Sequence, residues 1–89
     1  MATYVISYDL NKQKNYPALY GAIKSFGTWC HPMDSTWLVV SDWDAVQVRN
    51  HIWAAMDRDD TLLVTRVQKG DSAWAGMNST VTKWFHSNL

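Results

Sequence analysis

The chain predicts a small α+β domain, and three features carry that prediction. A β-prone run over residues 3–9 leads into an amphipathic helical repeat, strand formers dominate residues 28–40, and a second helical repeat precedes another β-prone run at 61–67. At 89 residues there is room for one domain with one modest core, so residues 1–89 are read as a single unit. Domains this small often complete their burial by pairing with a copy of themselves, which makes a homodimer the default expectation.

Each element has its own warrant. Residues 3–9 alternate, with Tyr4, Ile6 and Tyr8 on one face and Val5, Ser7 and Asp9 on the other. A polar loop, Asn11-Lys12-Gln13-Lys14-Asn15, follows it. Asn15 is placed to cap a helix whose early Pro17 needs no backbone donor, and Tyr16, Leu19, Tyr20, Ile23 and Phe26 recur at three- and four-residue steps. Gly27 supplies its stop.

Residues 28–31 read as a short strand, Pro32-Met33-Asp34 as a turn and residues 35–40 as a longer strand, together a hairpin. Ser41 and Asp44 have capping-box spacing, with Asp in place of the usual Glu or Gln. Ala45, Val48, Ile52, Ala55 and Met56 then line one face of a helix predicted to end near Asp57. After the polar break Asp57-Arg58-Asp59-Asp60, residues 61–67 form a near-continuous β-prone run suited to a sheet interior. Gly70 and Gly76 bracket an irregular segment, and residues 80–86 read as a last short helix or strand within a C-terminal extension, 70–89.

Strand, helix, strand, strand, helix, strand is the split βαβ order of ferredoxin-like folds, a four-stranded antiparallel sheet with two helices on one face. The more apolar set, Tyr4, Ile6 and Tyr8, is expected to meet the helices. Val5, Ser7 and Asp9 are then left to face a partner or solvent.

Eight Lys+Arg balance eight acids, all Asp, so no bulk electrostatic attraction draws the chain to RNA or DNA; nucleic-acid binding would need a local basic strip. Six tryptophans are more indole than so small a domain easily hides, which points either to a Trp-rich surface for a protein partner or to ordinary packing. Cys30 is the one cysteine, excluding an intramolecular disulfide and any multi-cysteine zinc site and fitting a reducing cytoplasm. Without a signal-like segment or an apolar run of membrane length, a soluble, unprocessed chain with no membrane partner is expected.

Asp9 is the most interpretable acid: where a strand meets a polar loop, a carboxylate either binds a metal or caps the turn. Ser35 and Thr36 open a strand expected near the first, so a hydroxyl there holds a metal-bound water or simply bonds backbone. His31, His51 and His86 lack the spacing of a zinc site, and Asp57, Asp59 and Asp60 lack the Gly and Glu of a calcium-binding hand.

Tyr8-Asp9-Leu10 at the end of the first strand, the helix through Tyr20 to Phe26-Gly27, Ser35-Thr36-Trp37-Leu38-Val39 and Asp60-Thr61-Leu62-Leu63-Val64 resemble the small CRISPR-adaptation dimer proteins and the related virulence-associated protein D group. The resemblance spans roughly residues 3–67 and implies a ferredoxin-like homodimer joined sheet face to sheet face. It further implies a divalent-metal-dependent endonuclease of a nucleic-acid defence or toxin-like system, acting on RNA or DNA. In that reading Asp9 from each protomer holds a shared Mg2+ or Mn2+, with Lys12 and Lys14 near the phosphates. Other branches act as structural adaptors, which implies the alternative of a non-catalytic dimeric protein-binding module or inhibitor. The chain departs from the nucleases in having only Lys12 and Lys14 after the Asp, and from the adaptors in lacking a long basic tail.

Overall fold

The elements run β1 (Ala2–Asp9), α1 (Tyr16–Lys24), β2 (Thr28–Met33), β3 (Thr36–Ser41), α2 (Ala45–Trp53), β4 (Thr61–Arg66) and α3 (Ser79–Asn88). The computed structural model describes residues 1–10 and 16–89, so the Asn15 cap and the loop lysines Lys12 and Lys14 lie outside the described residues. The strands form one antiparallel sheet in the order β2-β3-β1-β4, an α+β fold with the expected ferredoxin-like sequence of elements. Central β1 pairs with β3 through Ile6↔Trp37 and with β4 through Ile6↔Val64.

Alternation along β1 sorts the molecule into two cores. Tyr4, Ile6 and Tyr8 are buried with Trp37 and Val39 of β3 against Leu19 and Ile23 of α1 and Val48 and Ile52 of α2. This is the face assigned to the helices from sequence, and each large aliphatic side chain buried there contributes about 1.5–3 kcal/mol.

The second face is not bare. Phe85 of α3 is only 4% exposed and closes over Cys30 of β2 and Leu38 of β3, with Val5, Trp74, Met77, Val81, Trp84 and Leu89 packed around them. Val81, Trp84 and Phe85 stand three, then one residue apart, so that one side of α3 is apolar and docks. Asn78 caps α3 through the Val81 amide (2.9 Å), and the Thr3 hydroxyl donates to the Asn88 carbonyl (2.8 Å), tying the helix end to the start of β1. The C-terminal extension is thus part of the fold, and the expected open sheet face is half covered by the chain itself.

Four boundaries, and the place of one strand, also differ from expectation. α1 ends at Lys24, and Gly27 reverses the chain at φ 86°, in the left-handed region where glycine alone is unstrained. Pro32 belongs to β2 instead of a turn, because β2 is an edge strand whose register shifts between Cys30 and Met33, where a missing N–H is tolerated. The cap of α2 is Asp44, not Ser41: its carboxylate accepts the Gln47 amide (2.8 Å) while the Gln47 side chain accepts the Asp44 amide (3.0 Å). The Ser41 hydroxyl instead accepts the Trp43 amide, and α2 stops at Trp53. Finally β4, read as an interior strand, lies at the sheet edge.

Candidate functional site

Residues opposite one another in a ladder share a face, so the register defines what surrounds Asp9. Asp9 pairs with Thr61, Ser7 with both Leu63 and Thr36, and Thr36 with Met33. One row therefore crosses all four strands as Met33, Thr36, Ser7, Leu63, and Asp9 with Thr61 forms its outer border. The adjoining row, Cys30, Leu38, Val5, Thr65, runs beneath α3 on its β2 and β3 side. Beyond α3 the strip is open: Leu63 is 59% and Met33 52% exposed, and Asp9 is exposed as well.

The strip offers one carboxylate and three neutral hydroxyls, Ser7, Thr36 and Thr61, from one copy of the chain. Magnesium requires near-octahedral oxygen ligation, which a single carboxylate with waters holds only weakly. Among the described residues no group of three His, Cys, Asp or Glu is placed to hold a metal ion. Thr36 does share the face of Asp9, as the sequence suggested, whereas Ser35 is engaged through its carbonyl, which accepts the Tyr8 amide at 3.1 Å.

Tyr8 points the other way, into the core. Buried Trp37 donates its Nε1–H to the Tyr8 hydroxyl (3.1 Å), which donates onward to the Asp34 carbonyl (3.1 Å). Burial dominates the phenol, pushing its pKa up to about 12, against the opposing bond from Trp37. His31 stacks on Trp37 with ring centroids 3.8 Å apart at 11°, and its Nε2 contacts the Asp34 carbonyl at 3.1 Å. It is thus part of the aromatic wall and half-buried. Cys30 is buried, and that burial raises its thiol pKa.

One close pair had no signature in the sequence, its members being 26 residues apart: Ser25 Oγ lies 2.8 Å from His51 Nε2. The Ser25 hydroxyl has a single proton, and Oγ sits 2.6 Å from the Ala22 carbonyl, which can only accept it. The ring N–H must then donate to Oγ, the reverse of what an activated nucleophile needs. This bond joins the end of α1 to α2, beside the rings of Phe26 and Trp43.

Among the described residues Lys24, Arg49 and the pair Arg66 and Lys69 are dispersed. Lys24 lies over the Trp29 ring at 5.1 Å and Arg49 bonds Asn50, while Arg66 and Lys69 share a cleft of about 780 Å³. That cleft is lined by Met1, Thr3 and Asn88, at the end of β1 remote from Asp9. Four of the six indoles pack into the two cores: Trp37 fully, Trp29, Trp74 and Trp84 in part. The expected Trp-rich surface reduces to Trp43 and Trp53. No helix among the described residues is long and apolar enough to cross a membrane. No protein-family model and no solved structure matches the chain.

Proposed function

We propose that the chain is a non-catalytic, dimeric protein-binding module. The observation that carries this reading is α3 docked on the second sheet face, because the alternative, two Asp9 carboxylates meeting at a twofold axis, needs that face to receive another sheet. Large apolar side chains stay exposed at several places: Leu63 and Met33 on the strip, Val46 and Trp53 of α2 and Trp43 just before it. Aromatic anchors of this kind support protein interfaces, and the zero net charge supports the same reading over one that relies on phosphate contacts. The resemblance of residues 3–67 supports a role for such a module, or inhibitor, in a nucleic-acid defence or toxin-like system.

A second reading keeps Asp9 as the metal ligand of an endonuclease. It is favoured by the open end of the second face, where Asp9 is exposed beside the Thr61, Ser7 and Thr36 hydroxyls. Purified protein and its Asp9→Asn variant, incubated with RNA, single-stranded DNA and duplex DNA in Mg2+ or Mn2+, separate the two. The module reading expects no cleavage above background from either protein and a dimer by light scattering. Metal-dependent cleavage by the parent that the variant lacks would overturn it.

A further inference from the structure

We propose that β4 pairs with β4 of a second copy about a twofold axis at Leu63, fusing two four-stranded sheets into one. This rests on the dimeric reading above and specifies its surface.

The backbone of β4 is open on its outer side. Val67 donates its amide to the Thr3 carbonyl, so the pair Thr3 and Val67 is hydrogen-bonded, and alternation makes Val5 with Thr65 and Ser7 with Leu63 hydrogen-bonded too. The N–H and C=O groups of Leu62, Val64 and Arg66 therefore point away from β1. Among the described residues no backbone bond reaches them. Exposed edges in soluble proteins are commonly guarded by Pro, a bulge or an inward charge, and the run Thr61-Leu62-Leu63-Val64-Thr65 has none of these.

The same five residues read nearly alike from either end, which is what antiparallel self-pairing requires. A twofold axis normal to the sheet keeps each face on its own side, so only registers that match like faces are allowed. Centring on Leu63 sets Leu63 against itself, Thr61 against Thr65 and Leu62 against Val64; the last are hydrogen-bonded pairs, in agreement with their outward groups. It also sets Asp60, buried with its carboxylate accepting the Asp57 amide at 2.9 Å, opposite Arg66 of the second copy, so that no like charges meet. Centring on Val64 sets Leu62 against Arg66, and centring on Leu62 sets Arg58 against Arg66, like charges. Leu63 thus gives the register with apolar opposite apolar and no repulsion.

The neighbourhood agrees. Trp53 and Leu62 border a cleft of about 440 Å³ beside β4 on the helix side, while Leu63 stands 59% exposed on the other. Edge pairing covers both. In this dimer the two Asp9 carboxylates lie roughly 20 Å apart, from three strand spacings of about 4.8 Å and four residue rises of about 3.4 Å, too far to share one ion.

The test uses the full chain. Leu63→Cys is expected to form an intermolecular disulfide under mild oxidation, since opposed non-hydrogen-bonded positions have Cα atoms about 4.5 Å apart, within disulfide range. Thr61→Cys and Thr65→Cys proteins are expected to cross-link when mixed and far less when each is alone. Leu63→Lys is expected to scatter light as a folded monomer with an unchanged circular dichroism spectrum. A dimer that persists in Leu63→Lys and leaves Leu63→Cys uncrosslinked overturns the β4 interface while sparing the dimeric module. A monomeric parent chain overturns both.

Discussion

A single phenol ties the stability of the larger core to pH. Tyr8 accepts the Trp37 indole N–H inside the core, so Tyr8→Phe leaves that donor without a partner at a cost of about 1–3 kcal/mol. The sign at high pH follows from the raised pKa: the phenol is 10.0 when free and about 12 when folded, so its contribution is complete below pH 10 and lost as pH rises toward 12. Urea melts at about pH 8 and about pH 11 should therefore show the gap between parent and Tyr8→Phe narrowing at the higher pH. A gap that stays constant would mean the phenol ionises freely. That Tyr8 is core was legible from alternation in residues 3–9, because β periodicity assigns faces directly. Its bond to Trp37 was not, since the two residues are 29 apart and meet only across the β1 and β3 ladder.

At the scale of elements, the caps and the last helix make the firmest predictions. Asp44→Ala removes half of the Asp44 and Gln47 capping box and should lower stability by about 1 kcal/mol in chemical denaturation. The sequence pointed to Ser41 with Asp44, and hydrogen-bonding moves the box on by three residues, with Ser41 drawn to the Trp43 amide at the end of β3. Phe85→Ala should loosen α3 by about 3 kcal/mol, raising the rate at which a thiol reagent reaches Cys30 on the order of 100-fold. Reaction at the parent's rate would show that α3 does not shield the second face. α3 itself was hard to foresee because residues 70–78 lack a repeat, and the one-sided apolar pattern starts late, at Met77 and Val81. β4 was misplaced for a related reason: a β-prone run fits either an interior strand or an edge that another chain covers.

Across the whole molecule, charge and topology point the same way. Equal numbers of cations and acids, with Lys24, Arg49, and the pair Arg66 and Lys69 set apart on α1, α2 and the cleft by β4, favour contacts made by backbone and apolar side chains. The dimer affinity should accordingly change by less than about threefold between about 50 and about 500 mM salt, as read by sedimentation, because screening acts on exposed charge. Two helices over one face and α3 over half of the other leave, among the described residues, the regular edge of β4 and the strip beside it open, the β2 edge being broken by Pro32 and a register shift. Hydrogen exchange at individual amides tests this most directly. Leu62 and Val64 should exchange slowly, and more slowly as protein concentration rises, while Leu63, bonded to β1, is slow throughout. Exchange of Leu62 and Val64 at the rate of an open edge at every concentration would contradict the self-paired sheet.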